Sequence, residues 1–413
     1  MDLRKFTVGQ FLLFFIWPFG SFVISVSTLH LYKSSRIIFV LFAILYGYTF
    51  VFSNEFGADN GRVVKEFYSV SEMNLNGFSE YLSSENTTDI FLPFSYYFIS
   101  KISNNPQVLY AFFALIYSLF FVLSFTLLLK LIKEKRIDFR IAIFIILYIF
   151  YIRFSAINGV RFWIACFIFI YGIMKIIIDN NYWYLILIGC TPFIHFSYFF
   201  GLIIVAVYLV IGKNVNYCYI LLLISVFFPV EMLNKYLKSS GFFTSKAESY
   251  FRDDNVNIEK GKRANSNFYI EWGATIAQRF MTFALFVPSF LKSNYNYDKI
   301  ESRLYSFLIV FLSFLNFMSG SFEVHRRFFE IYIMLCIVFF IKILSNELIK
   351  YKSLILLDVF TLSAFVFLLP KIMLGLRSGF ETLNVDLLYK SFFQITNFNT
   401  TSLYDFLLFN GLI

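Results

Sequence analysis

Ten runs of mostly apolar residues, each close to the length of a membrane-spanning helix, follow one another along this chain of 413 residues. A helix needs about 20 such residues to cross the hydrocarbon core of a bilayer. A chain with this pattern is expected to fold as a bundle of helices inside a membrane, because helices satisfy their own backbone hydrogen bonds there. The runs lie near residues 9–30, 36–53, 107–130, 140–157, 160–179, 217–232, 269–291, 304–320, 326–345 and 354–375.

The amino-acid composition also indicates that the chain folds inside a membrane. The chain is 59% hydrophobic and 15% charged, whereas soluble domains are about 45–50% apolar and about 25% charged. A soluble enzyme, a secreted disulfide scaffold and a disordered chain are therefore excluded. The four cysteines lie in apolar runs, and their spacing fits neither a zinc site nor a disulfide framework. They are Cys166, Cys190, Cys218 and Cys336.

The apolar stretch 182–211 is too long for one spanning helix and short for two. It is interrupted at Thr191-Pro192-Phe193-Ile194-His195, and proline breaks a helix because it lacks a backbone donor. The sequence therefore predicts two short helices that meet at His195, which brings the total to about twelve spans.

Lys and Arg residues are distributed unevenly between alternate loops. One set of short loops holds 15 basic residues in 55 positions, while the other set holds 14 in 135. Because basic residues concentrate in cytoplasmic loops, the first set is predicted to face the cytoplasm and both termini to face outward. The long outer segments are then 54–106, 233–268 and 376–413, within a single membrane domain that covers residues 1–413.

Two parts of the first outer segment have the character of helices that lie at the membrane surface. Residues 62–84 repeat apolar side chains at helical spacing, and residues 89–102 are apolar but too short to span. Aromatic side chains in both would sit at headgroup depth. Residues 252–265, in the second outer segment, are polar and indicate a loop.

Polar residues at the ends of apolar runs are costly in a membrane and often functional. The first group, Asn54 to Arg62, follows the second run and contains Glu55 and Asp59. It is either an ordinary capped helix end or a carboxylate that faces an outer cavity. The second group is Asn158-Gly159-Val160-Arg161. There Arg161 either reaches for lipid phosphate or binds an anion at a helix N-terminus.

The third group surrounds His195, at the predicted break between two helices. A lone histidine on an apolar face is commonly structural, but at such a break it is also a candidate base for a hydroxyl group. The fourth group runs from Glu323 to Glu330 and contains Arg326 and Arg327 on the predicted outer side. These arginines either pair with Glu323, Glu330 or Asp59, or bind a multiply charged anion such as a diphosphate.

Further charged residues are candidates for the same outer anion site. Arg252 or Arg377 would complete an outer anion site with Arg161 and the pair Arg326-Arg327. No Walker loop, dinucleotide fingerprint or zinc-protease motif is present in the sequence. The acidic pair Asp253-Asp254 is weak support for a metal, so we expect neither a metal nor another cofactor.

These groups, in this order, resemble the polytopic bacterial polysaccharide polymerases, namely the Wzy-like O-antigen and EpsG-like exopolysaccharide families. The resemblance rests on Gly57-Ala58-Asp59, on Asn158-Gly159-Val160-Arg161, on Phe193-Ile194-His195-Phe196-Ser197, and on Arg326-Arg327 leading into Tyr332. It covers most of the chain as a plan of spans and outer loops. The chain departs from it at Phe162, where related proteins often carry a polar residue.

The resemblance implies an all-α polytopic protein of the bacterial inner membrane, with GT-C-type architecture and its active site on the periplasmic side. Such an enzyme joins oligosaccharide repeat units carried on undecaprenyl diphosphate, as in lipopolysaccharide biosynthesis. Its partners are the two lipid-linked substrates and the bilayer, with a chain-length regulator and a flippase of the same pathway as further candidates. Nucleic acid is not expected.

Under this reading, each candidate residue has an expected role. Arg161, Arg326, Arg327 and Arg252 bind the diphosphate and stabilise its charge as it leaves. His195, or otherwise Asp59, takes the proton of the acceptor hydroxyl, while Asn158, Glu323 and Glu55 contact the sugars. Two alternatives remain, a lipid-linked oligosaccharide flippase or other transporter and an O-antigen ligase, since both would also need a cationic outer cavity.

Overall fold

The computed structural model describes most of the chain as a helical bundle. Every regular element in its described part is a helix, as the sequence predicts. The described residues are 3–51, 59–84, 89–132, 137–159, 161–227, 276–287, 297–319, 321–345, 351–395, 398 and 400–410.

Eighteen α-helices follow one another in the described residues. They are α1 (Leu3–Ile16), α2 (Pro18–Thr28), α3 (Lys33–Tyr48), α4 (Asp59–Ser71), α5 (Leu75–Ser84), α6 (Phe91–Ser100), α7 (Pro106–Ile132), α8 (Phe139–Phe150), α9 (Arg161–Asp179), α10 (Tyr184–Gly189), α11 (Thr191–Ile194), α12 (Tyr198–Ile211), α13 (Val215–Phe227), α14 (Ala277–Ala284), α15 (Lys299–Phe317), α16 (Phe322–Leu344), α17 (Tyr351–Thr382) and α18 (Leu403–Phe409). Short 3-10 helices cover Phe154–Gly159, Val385–Leu388 and Phe392–Gln394.

Four helical segments among the described residues are long and apolar enough to cross a membrane. The shorter apolar helices include α2, α8, α12 and α13. Such a set of apolar helices is typical of a multi-pass membrane protein. The four are Pro106–Ile132, Arg161–Asp179, Lys299–Phe317 and Ile355–Thr382.

Helices α3, α7 and α17 define the two ends of the bundle. The backbone N–H of Val51, just after α3, donates to Thr382 O at the end of α17, at 3.3 Å. The side-chain amide of Gln107, at the start of α7, donates to Phe50 O at 3.3 Å. The end where α3 and α17 finish and α7 begins is called the outer end below.

The first apolar run forms two helices instead of one. Pro18 stands in the first turn of α2, where a proline is tolerated, and the chain reverses direction at Trp17-Pro18. The buried Gln10 of α1 donates to Ser35 Oγ at the start of α3, at 3.0 Å. Its backbone carbonyl accepts from Ser21 Oγ of α2, also at 3.0 Å. The prediction of one spanning helix over residues 9–30 is therefore wrong.

The hairpin formed by α1 and α2 also sets the direction in which α1 runs. Gln10 lies beside the first turn of α3, which is the inner end, whereas Trp17 donates to Leu388 O beyond the outer end of α17, at 2.6 Å. Helix α1 therefore runs from the inner end towards the outer end of the bundle. The side of the membrane on which residues 1–8 lie stays a prediction.

Helix α8 is shorter than the predicted run 140–157. It ends at Phe150, and the chain continues as the 3-10 helix Phe154–Gly159 before α9 begins at Arg161. The ring of Phe154 packs inside the bundle, 4.9 Å from the Tyr46 ring and 5.9 Å from the Phe39 ring. The connection between α8 and α9 therefore lies within the bundle, and its residues are candidates to line an internal cavity.

Residues 59–100 of the first outer segment form three short helices, in line with the prediction of short helices there. Helix α6 reaches into the bundle at its N-terminal end, because the Phe91 ring lies 5.9 Å from the Phe113 ring of α7. Phe113 is seven residues along α7 from Pro106, which corresponds to roughly 10 Å at 1.5 Å per residue. Asp89 and Ile90, directly before α6, are thereby brought below the outer end of the bundle.

Candidate functional site

The helices around His195 form a short hairpin inside the bundle. Helices α10 and α11 lead up to His195, whose extended backbone (φ −148°, ψ 118°) ends α11, and α12 leads away from Tyr198. Pro192 stands in the first turn of α11, so the break follows it by one turn. The predicted break at His195 is confirmed, and the histidine side chain is buried at the tip of the hairpin.

The hairpin packs closely against α9 because Gly172 leaves room for it. A Cβ atom at Gly172 would meet Ile188 Cγ1 of α10 at 2.6 Å, which is too close for two carbon atoms. At the other end, the Phe162 ring of α9 lies 5.4 Å from the His195 ring, edge to face. The first turn of α9 and the tip of the hairpin thus share one packing unit.

Hydrogen bonds orient the His195 ring. Its Nδ1 atom lies 2.8 Å from Ser197 Oγ and accepts from the backbone N–H of Ser197 at 3.3 Å. An amide N–H can only donate, so Nδ1 is the unprotonated nitrogen and the neutral ring carries its proton on Nε2. Any proton that His195 accepts would therefore arrive at Nδ1, where the Ser197 hydroxyl is in contact.

Asp89 links this tip to the start of α9. Its Oδ2 pairs with Arg161 Nη1 at 2.8 Å, and its Oδ1 accepts from the backbone N–H of Phe196 at 2.8 Å. The Asp89 side chain is 9% exposed and the Arg161 side chain 29% exposed. One carboxylate thus fixes both a candidate anion-binding arginine and the residue that follows His195.

Arg327 reaches the same place from α16. Its guanidinium carbon lies 5.5 Å from the centre of the Phe162 ring, in the geometry of a cation–π contact. Phe328, the next residue, packs against Phe162 and Tyr198 with ring centres 6.1 and 5.5 Å apart. Tyr198 also donates to the Phe162 carbonyl at 3.0 Å. Phe162 is therefore the platform that holds Arg327 beside His195.

Arg326 is half-buried on the same turn of α16. One turn further on, the buried Glu330 pairs with Lys371 of α17 at 2.5 Å. The sequence left open a pairing of Glu330 with these arginines. In the structure, Glu330 makes its ion pair with Lys371.

Tyr96 of α6 lies near Arg161 without taking part in acid–base chemistry. Burial raises the pKa of Tyr96, Glu66 and Tyr110 raise it further, and Arg161 lowers it. The net pKa lies far above neutrality, so the phenol stays protonated. It can donate a hydrogen bond near Arg161, but it cannot serve as a base.

Several predicted site residues cannot be placed with these groups. Glu55, Arg252 and the pair Asp253-Asp254 lie outside the described residues. Asp59 begins α4, Asn158 lies in the 3-10 helix before α9, and Glu323 lies in the first turn of α16, but their side chains are outside the described part. Arg377 pairs with Glu381 on the exposed outer part of α17.

No group of three or more His, Cys, Asp or Glu residues that could hold a metal ion occurs in the described part of the chain. Two arginines are held next to the His195 hairpin: Arg161 pairs with Asp89, and Arg327, which follows Arg326 in α16, contacts the Phe162 ring. The arrangement can bind an anion between α9 and α16, next to a buried histidine–serine contact.

The family assignment rests on most of the bundle. A family model, described as EpsG family, matches residues 36–383, which is most of the chain. The chain belongs to the EpsG family. The match starts in α3 and ends just beyond α17, so it includes the outer helices α4–α6, the His195 hairpin and both arginine-bearing helices. No curated protein and no solved structure matches the chain.

Membership in the EpsG family connects this chain with membrane polysaccharide biosynthesis and with a polymerase-like glycosyltransferase role. The resemblance inferred from the sequence is thereby confirmed at the level of the family. The contacts around Asp89 and Phe162 show how this EpsG-family chain holds its arginines in place.

Proposed function

We propose that this EpsG-family protein is a polysaccharide polymerase. It joins oligosaccharide repeat units carried on undecaprenyl diphosphate, at the periplasmic face of the bacterial inner membrane, and the polymer it makes is an O-antigen or a related surface glycan. The observation that carries this proposal is that Arg327 and the buried His195 both contact the Phe162 ring, and that Phe162 directly follows Arg161 at the start of α9.

The leaving group explains the need for arginines. When a glycan leaves its lipid carrier, the diphosphate gains negative charge, and guanidinium groups oriented in advance stabilise that charge without having to reorganise. Arg327 is held by stacking on Phe162, and Arg161 is held by Asp89. Arg326, and Arg252 from the second outer segment, are proposed to contribute further donors.

The pairing of Arg161 with Asp89 sets a condition on binding. A diphosphate that binds Arg161 must compete with the Asp89 carboxylate or share the guanidinium with it. Since the guanidinium has five N–H donors in a fork, sharing is geometrically possible. Arg327 is therefore the primary diphosphate ligand in this proposal, and Arg161 completes the site as the substrate enters.

The acceptor hydroxyl also has to lose a proton. We propose that this proton passes to Ser197 Oγ while the serine proton passes to His195 Nδ1, over the 2.8 Å contact between them. Asp59, at the start of α4, is the second candidate base. Asn158, Glu323 and Glu55 remain proposed contacts to the sugars, and the mechanism uses no metal.

The proposal includes an architecture of about twelve spans of the GT-C type. The helices α4–α6, which belong to the first outer segment, would line the sugar-binding cleft on the periplasmic side. A chain-length regulator and a flippase of the same pathway are proposed partners, because a polymerase needs its substrate delivered and its product length controlled.

The surface glycan of a deletion strain tests this function against its alternatives. Loss of a polymerase leaves single repeat units attached to their usual acceptor. Loss of a flippase or a ligase instead removes the glycan from that acceptor. We expect single units, and their complete absence would contradict the polymerase assignment.

A further inference from the structure

A third arginine lies at the break between α8 and the 3-10 helix Phe154–Gly159. Arg153 is exposed, and its Nη1 donates to Ser378 Oγ of α17 at 3.2 Å. Ser155 Oγ lies 3.1 Å from the same Ser378 Oγ. Ser378 Oγ thus contacts both the Arg153 guanidinium and the Ser155 hydroxyl group, which come from the connection after α8.

The close approach of α17 builds this arrangement. A Cβ atom at Gly375 would meet Arg153 Cβ at 3.1 Å, so the glycine lets α17 pass directly over the break. Gly375 precedes Ser378 by three residues and therefore lies on the same face of the helix. The position of Ser378 beside Arg153 depends on that contact.

Arg153 lies close to the outer end of the bundle. The neighbouring Phe154 packs against Tyr46 and Phe39 inside the bundle, and Ser378 lies four residues inward from Thr382 at the outer end. Arg153 is exposed and lies near the outer end of the bundle, so its charge is accessible to a ligand there. Charged side chains at the ends of membrane helices are costly and often functional.

Its partners distinguish Arg153 from other arginines near the outer end. Arg161 pairs with Asp89 and Arg377 with Glu381. Within the part of the chain that the structure describes, Arg153 pairs with no carboxylate, and its hydrogen-bond partner is the neutral Ser378. Its positive charge is therefore available to an anion from outside the protein.

We propose that Arg153, with Ser155 and Ser378, forms a second diphosphate-binding subsite. This inference rests on the proposed function, in which two lipid diphosphates are held at once. One binds at Arg161 and Arg327, and the other binds at Arg153. The six residues of the 3-10 helix span roughly 12 Å at about 2.0 Å per residue, which keeps the two anions apart and limits their repulsion.

The test measures how many molecules of undecaprenyl diphosphate bind to the full-length protein in nanodiscs of phosphatidylcholine. Wild type is expected to bind two. Arg153→Ala is expected to bind one, with the remaining affinity unchanged. Arg153→Lys keeps the charge but loses the planar fork, and should weaken the second site by roughly tenfold. This variant also serves if Arg153→Ala fails to fold.

Arg62→Ala is the matched control, because Arg62 is an exposed arginine that already has a carboxylate partner, Glu66. It should leave both sites intact. Inorganic pyrophosphate should displace the lipid from the Arg153 site, whereas phosphatidylglycerol in the nanodisc should not. Equal displacement by phosphatidylglycerol would mean that Arg153 contacts ordinary lipid phosphate, and would overturn the proposal.

The outcomes separate this inference from the proposed function. If wild type binds one molecule and Arg153→Ala leaves it in place, the second subsite is wrong while the polymerase remains. If both sites persist in Arg153→Ala, or if Arg62→Ala removes one equally, the subsite is also wrong. If wild type binds no undecaprenyl diphosphate, both proposals fail.

Discussion

Asp89 holds Arg161 with one carboxylate oxygen and the backbone of Phe196 with the other, each at 2.8 Å. It thereby joins the outer helix α6, the first turn of α9 and the His195 hairpin. The outer helices α4–α6 are therefore connected directly to the helices of the bundle. They take part directly in positioning the candidate diphosphate ligand and the candidate base.

Asp89→Asn should destabilise the protein and lower its activity. The amide can still accept from Phe196 but cannot neutralise Arg161, so we expect a loss of about 1–3 kcal/mol of stability. Thermal unfolding in nanodiscs measures it. Asp179→Asn is the control, since its i,i+4 pair with Lys175 should contribute less than about 0.5 kcal/mol. A double-mutant cycle with Arg161→Gln that is simply additive would contradict the coupling.

His195→Ala and Ser197→Ala should both slow turnover, because the proposed proton path runs through both side chains. General-base catalysis contributes about 10²–10⁴-fold, and we expect losses in that range in kcat with little change in KM. Normal turnover in His195→Ala would transfer the role to Asp59, and Asp59→Asn would then be the variant to measure. Slow turnover in only one of the two variants would exclude the relay.

Arg327→Ala should abolish polymer while the protein still accumulates in the membrane. Removing one preorganised donor to developing charge typically costs about 10²–10³-fold in rate. Arg326→Ala should have the same phenotype. Arg62→Ala is a suitable control, since Arg62 is exposed on α4 and pairs with Glu66 one turn away. Glycan ladders on gels read out the result, and wild-type chain lengths in Arg327→Ala would contradict the role.

Gly47→Ala should weaken the packing of α3 on α7. A Cβ atom there would meet the carbonyl oxygen of Tyr110 at 2.6 Å and Ala114 Cβ at 2.7 Å. Because a backbone atom cannot move aside as a side chain can, we expect a loss of roughly 1–3 kcal/mol. Gly379→Ala is the control, since nothing lies within 4 Å of its Cβ position. Equal melting temperatures for the two variants would show that α3 and α7 adjust freely.

The features that could be predicted from the sequence are those set by local pattern. Long apolar runs predicted the bounds of α7 and α9 to within a residue or two. The proline in Thr191-Pro192 predicted the break at His195. The structure places His195 and Arg327 in contact with the Phe162 ring, next to Arg161 in the chain, while the roles of these residues stay predictions.

The features that sequence reasoning missed depend on tertiary contacts or on a weak local signal. Asp89 and Arg161 are 72 residues apart, and the only sign of Asp89 was an acidic residue directly before an apolar helix. Trp17-Pro18 lies in an unbroken apolar run, so hydrophobicity hid the turn that its proline marks. Phe162 was noted for departing from the family pattern, and its role as a platform became visible only with Arg327 stacked on it.

The central claim is that the protein extends a lipid-linked glycan. Purified protein in proteoliposomes, given undecaprenyl-diphosphate-linked repeat units and no other protein, tests it directly. We expect a ladder of longer glycans on the lipid, with free undecaprenyl diphosphate released at each step, and no ladder with Arg327→Ala. Movement of intact repeat units across the bilayer without any growth in length would contradict the account.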